Sequence, residues 1–214
     1  MIPKRYCCGK SGWGGARAHR FYISFVDLRD PEEATVSTAA VATSGATRPE
    51  KSEYLPYYER YISLVPEGDV ISTLSAQVDD TLALLRGLPA SVSTYRYAPD
   101  KWSVNEVVGH MADTERIFAA RTLVFARNDP AHMPSMEQDD YIRNSTFDAY
   151  PLSELADELE AVRRSTVLLF KHLDEQAWSR RGVANNAEVS VRALAYIIAG
   201  HELHHRGVLE SRYL

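Results

Sequence analysis

Cysteine is almost missing from this 214-residue chain: there are two, Cys7 and Cys8, side by side near the start. The rest of the chain therefore offers neither disulfides nor thiolate metal ligands, which suits a reducing compartment and predicts a cytoplasmic protein. Long apolar runs are missing too. No stretch approaches the ~18 residues that span a bilayer, and the basic N-terminus lacks the continuous apolar segment of a signal peptide. Positive charge is in deficit, with 24 Lys and Arg against 29 Asp and Glu, a net −5. Residues 1–51 hold 8 of those basic and 5 of those acidic side chains, a net +3, which leaves −8 on the remainder. No basic stripe with interleaved aromatics occurs, so neither nucleic acid nor a membrane surface is an expected partner. An alternating strand pattern and an internal repeat are likewise missing.

What is present divides at about residue 51. Residues 1–51 are rich in Gly, Arg and Lys, then in Ala, Thr, Ser and Val as far as Arg48-Pro49. Such composition buries too little surface to offset its ordering entropy, so this segment is expected to be a flexible tail or a spurious extension. A single domain is expected over residues 52–214. It opens with a Tyr-rich stretch, Tyr54–Tyr61, closed by Pro66 and Gly68.

Four helical patterns follow. Asp69 caps the first, in which Ile71, Leu74, Val78, Leu82 and Leu85 keep the i, i+3, i+4 rhythm until Gly87-Leu88-Pro89. Ser103 and Glu106 form a capping box for the second, which ends at Asn128-Asp129-Pro130. A long connection, residues 131–151, separates it from a third helix assigned to a Ser153 cap with Glu154, Asp157 and Glu158 in its first turns. Connections of this length often carry function. The fourth starts near Ser190 and runs through Leu194, Ile197, Ile198, His201, His205 and Val208. The fold class expected is all-α, an up-down four-helix bundle.

The chemistry lies in three histidines. Four residues are about 400° of α-helix, so His201 and His205 project from one face only ~40° apart. Imidazole is the commonest metal ligand at neutral pH, and two at i and i+4 can share an ion. His110, on the second helix, can reach that pair if the second and fourth helices face each other. A lone buried histidine is ordinarily a hydrogen-bonded core residue; an adjacent buried pair is hard to satisfy without an acid or a metal. His204 points about 100° from His205 and is expected at the surface. His201-Glu202-Leu203-His204-His205 also fits H-E-x-x-H, the zinc-protease pattern with Glu as base. Its extended form needs Gly where this chain has Val208, and no edge strand is foreseen to hold a peptide.

The segments Tyr97-Ala98-Pro99-Asp100-Lys101-Trp102-Ser103-Val104-Asn105-Glu106-Val107-Val108-Gly109-His110-Met111-Ala112-Asp113-Thr114-Glu115-Arg116 and Ala199-Gly200-His201-Glu202-Leu203-His204-His205-Arg206-Gly207-Val208-Leu209 together resemble the DinB/YfiT-like metal-binding family. The resemblance covers roughly residues 55–214. It implies a four-helix bundle, often dimeric, with a divalent metal on His110, His201 and His205. Zinc or nickel is the first expectation, iron or manganese the next, since three imidazoles do not choose between them. Characterised members of such families include thiol S-transferases that use low-molecular-weight thiols, and thiol-dependent isomerases.

The activity this implies is S-transfer with a metal-activated thiol supplied by a cosubstrate. The alternatives are a hydrolase using metal-activated water, and a metal centre without turnover. A small-molecule substrate and a homodimer are the expected partners. Glu202 and Glu115 are the candidate catalytic bases, with a helix-surface or supporting role as the alternative for each. Asp113 and Arg116 are candidates to support the ligands or to pair with each other. Arg121 and Arg163 are open between binding an acidic cosubstrate and pairing with local carboxylates. Trp102, Tyr95 and Tyr97 are assigned to core or pocket wall, core being preferred for Trp102.

Overall fold

The computed structural model describes residues 47–214. Up to residue 46 the expected tail lies outside the described residues. Past that point the chain is already tied down. Arg48 donates through Nη1 and Nη2 to the carbonyls of Ile62 and Val65, at 2.8 and 2.6 Å, and buried Glu53 pairs with Arg192.

Among the described residues there are seven α-helices: α1 Glu59–Ile62, α2 Val70–Gly87, α3 Val104–Ala126, α4 Gln138–Arg143, α5 Leu152–Lys171, α6 Glu175–Ser179 and α7 Val191–Val208. The long ones, α2, α3, α5 and α7, make the expected four-helix bundle. Three of them start where local chemistry satisfies their free amides. Asp69 accepts from the Ser72 amide, Ser103 and Glu106 close a capping box, and Ser190 accepts from the Ala193 amide. α5 differs from expectation. It begins at Leu152 behind Pro151, with no side-chain cap, so Ser153 sits inside its first turn. The Pro151 carbonyl accepts from the Glu154 amide at 3.0 Å, a backbone bond that stands where a side-chain cap was expected.

α2 and α3 each pack against both α5 and α7, so the ring runs α2–α5–α3–α7. Helix directions do not alternate strictly along the chain. The side chain of Asn105 bonds the Tyr150 carbonyl and Glu115 pairs with Arg163, so α3 and α5 run the same way. The 23 residues of α3 rise about 35 Å, and a parallel neighbour requires a connection that travels back along that length. Residues 127–151 make the crossover, which accounts for their number. The stretch read as a loop also holds α4 and a 3-10 turn at Phe147–Ala149.

A second departure is a hairpin, β1 Arg181–Ala184 with β2 Ala187–Ser190, antiparallel and paired Arg181 to Ser190. Four-residue strands are too short to show alternation. The Asn185-Asn186 corner, with φ of 53° and 58°, is the local signal, since asparagine tolerates the left-handed region that tight hairpins demand.

Two apolar clusters fill the bundle. One gathers Phe118, Phe125, Phe170, Trp178 and Ile197; the other gathers Leu82, Met111, Leu155, Leu159 and Leu209. Each long helix buries polar residues at or beside the point where one cluster gives way to the other: Gln77 and Thr81, His110 and Glu115, Arg163 and Thr166, His201 and Glu202; α3 also buries Asn105, Arg121 and Thr122 nearer its ends. The bundle thus carries a polar layer between two oily halves.

Candidate metal centre

α3 and α7 bring the three histidines together across the bundle. His201 Nε2 lies 3.2 Å from His110 Nε2 and 3.1 Å from His205 Nε2. The three ligand atoms all lie within 4.8 Å of one another. Nitrogens about 2.0–2.1 Å from one tetrahedral ion stand roughly 3.3 Å apart, so the spacing suits a shared divalent cation. His110 and His201 are buried and His205 partly so.

Burial pushes the His110 imidazole down to about 4. It drives His201 and His205 well below the ordinary value, reinforced by the neighbouring imidazoles. All three are therefore neutral at pH 7, the form that offers a lone pair to a metal. Thr114, one turn along α3, places Oγ1 3.3 Å from His110 Nδ1. An Nδ1–H donated there leaves Nε2 as the free acceptor facing the other two rings.

Aromatic rings enclose the cluster. Trp102 lies 4.7 Å from the His110 ring, so this half-buried side chain is a wall of the site as well as part of the packing. Tyr61 meets His201 and His204 edge-on at 5.4 and 5.3 Å. His204 is accordingly half-buried against Tyr61, where a surface position was expected, and it is outside the ligand cluster. Tyr61 reaches this point because Gly200 permits it: a Cβ at position 200 would overlap the Tyr61 carbonyl. Nothing in the spacing of residues 54–61 foretold that contact. The sequence clue was the glycine directly preceding His201.

The two candidate bases are held elsewhere. Arg163 grips Glu115 with Nε and Nη2 at 2.9 and 2.8 Å and pairs through Nη1 with Glu202. Glu202 further accepts from Thr81 Oγ1 at 2.6 Å and from the Gln77 amide. These residues, with the Leu74 carbonyl on Arg163, join all four long helices in the polar layer. In the H-E-x-x-H segment the Glu is thus committed to a structural network, and the third histidine comes from an upstream helix. Asp113 and Arg116 pair with each other at 3.3 Å, and Arg116 with Glu158, at the surface. Tyr95 and Tyr97 stack edge-on against Tyr213, away from the cluster.

A cavity of about 390 Å³ opens beside the cluster. His110 and His201 line it together with Tyr58, Tyr61 and Phe118, and with Met136, Glu137 and Gln138 from the crossover. The long connection therefore borders the site, as its length suggested. The residues present fit a divalent metal: three neutral nitrogens converge, and they adjoin a space large enough for a small molecule. No helix among the described residues is long and apolar enough to cross a membrane.

No match was found among curated proteins. Among solved structures the chain is similar to YfiT from Bacillus subtilis, described as "a probable metal-dependent hydrolase with an unusual four-helix bundle topology". The TM-score is 0.54 at 15% identity, covering 74% of this chain and 87% of that one. That likeness concerns the fold. In sequence, the model of the DinB superfamily matches residues 73–209, a span that holds all three histidines. The chain belongs to the DinB superfamily.

Proposed function

We propose that this chain is a divalent-metal-dependent enzyme acting on a small molecule, with His110, His201 and His205 as the metal ligands. The observation that carries the reading is the convergence of three neutral Nε2 atoms beside an open cavity that His110 and His201 line. A structural zinc is usually enclosed by four protein ligands, whereas three leave a position for a reactant. A divalent ion there supplies a nucleophile at neutral pH by acidifying a thiol or water. The chain's own part is to orient the ligand rings through Thr114, Trp102 and Tyr61, and to exclude bulk water with the aromatic walls.

The preferred nucleophile is a low-molecular-weight thiol. Both carboxylates offered as bases, Glu115 and Glu202, are bound to Arg163. A thiol that would be held by the ion as its thiolate needs no base during attack, whereas water benefits from one. Glu115 and Glu202 are then positioning residues that lock α3 and α7 at the ligand spacing. Hydrolysis is the second reading, favoured by the likeness to YfiT, itself described as a probable metal-dependent hydrolase. The homodimer belongs to the same proposal and is checked by sedimentation.

The test is elemental analysis of tag-free protein beside His110→Ala and His201→Ala. Near-stoichiometric zinc, nickel, iron or manganese in the parent, lost from both folded variants, is the expected result. A parent without metal that binds added zinc no better than the variants overturns the reading. Turnover of ester and electrophile panels with and without added thiol then separates transfer from hydrolysis.

A further inference from the structure

The bundle buries two arginines, and they differ in one respect. Arg163 is neutralised by Glu115 and Glu202. Arg121, 4% exposed, has no carboxylate within ion-pairing distance among the described residues. Its Nη2 donates to the Pro134 carbonyl at 2.6 Å, its guanidinium lies over the Phe118 ring at 5.3 Å, and the Tyr58 hydroxyl is beside it. Its Nε–H is buried and has no acceptor.

A buried cation is costly without an anion, and a buried donor without an acceptor adds to that cost. Arg121 lines the same cavity as His110 and His201. Eleven residues of α3 separate it from His110, which sets their Cα atoms roughly 16 Å apart. The aromatic walls Tyr58, Tyr61 and Phe118 run between them. Glu137, the acidic residue at the rim, is exposed and so solvated.

We propose that Arg121 is the recognition residue for a carboxylate on the substrate, received at its guanidinium while the apolar body of the molecule lies along Phe118 and the tyrosines. The substrate class is then a small, elongated carboxylic acid whose reactive bond lies at the histidine end. This rests on the proposed function for the chemistry at that end, but not for the binding. A guanidinium suits the role because it stays charged when buried and presents planar donors to a carboxylate.

The experiment is calorimetric titration of the full chain, zinc-loaded and metal-free, with 3-phenylpropionate and with its primary amide. The acid is expected to bind at least about ten-fold more tightly than the amide, the worth of one charge-assisted pair. The preference should persist without metal, which separates Arg121 from direct ligation of the ion. Arg121→Gln should abolish it with zinc content unchanged, and Arg121→Lys should restore part of it. Equal binding of acid and amide, no binding of the acid at millimolar concentration, or an unaltered preference in Arg121→Gln would each overturn the proposal. Should Arg121→Gln fail to fold, the ¹⁵N resonance of Arg121 Nε, identified by its loss in Arg121→Lys, decides: a shift with the acid alone supports it, no shift overturns it. A parent that binds no metal yet prefers the acid refutes the proposed function and leaves this assignment standing.

Discussion

Arg163 holds Glu115 in a two-pronged ion pair at 2.9 and 2.8 Å, with both side chains almost fully buried. Glu202 reaches the same guanidinium from α7, so one arginine holds two glutamates. Pairing of this kind adds little net stability by itself, but removing one partner strands the others in a medium that solvates them badly.

Arg163→Met is therefore expected to destabilise the fold by about 3–5 kcal/mol, read as a lowered urea midpoint in the metal-free chain. Glu115→Gln keeps the shape and one carboxylate partner, and should cost less. Equal, small effects of both substitutions would show that the layer is not a connected network.

Gly200 and Gly207 lie on the same helix and should respond oppositely to alanine. A methyl at 200 overlaps the Tyr61 backbone, whereas 207 faces open space. Gly200→Ala is expected to cost about 1–3 kcal/mol by overpacking. Gly207→Ala should gain up to about 1 kcal/mol by lowering backbone entropy in the unfolded chain. Thermal melts of the two variants decide it; a harmless Gly200→Ala would mean that α1 is not seated on α7.

Acid should weaken the metal-free fold in a defined window. Burial holds His110 at about 4 when folded, against about 6.5 when unfolded. The unfolded chain then binds more protons, so the contribution is complete above pH 6.5 and is lost as pH falls towards 4. For His110 alone it is about 3 kcal/mol. Denaturant midpoints from pH 8 to pH 4 measure it, and a flat profile would mean that water reaches the histidines freely.

Trp102 packs against the ring of His110, which gives an optical reporter. Nickel added to metal-free protein is expected to quench part of the tryptophan fluorescence. Trp102→Phe should remove that part while nickel still binds, as followed by equilibrium dialysis. Quenching that persists in the variant would place the ion away from His110.

Much of the candidate site was legible because two of its histidines are periodic. His201 and His205 share a helical face whatever surrounds them, and the capping residues Asp69, Ser103 and Ser190 mark helix starts through bonds made within three residues. Arg121 and Arg163 looked alike in sequence, each open between an acidic cosubstrate and a local carboxylate. Their different fates depend on Glu115 and Glu202, which reach Arg163 across the bundle, and on the lack of an acid within ion-pairing distance of Arg121 among the described residues. The hairpin at 181–190 escaped notice because strands of four residues leave no periodic trace.

The sequence by itself determined the local facts: which residues form the long helices, how most of them are capped, and that three imidazoles could share an ion. Those follow from interactions spanning one or two turns. Only the tertiary structure decided that α3 and α5 run the same way. It also put a polar layer between two apolar halves, tied both candidate bases to one arginine and left another arginine facing the cavity. Each of these turns on contacts between residues dozens of positions apart, and such pairings leave no periodic mark in the chain.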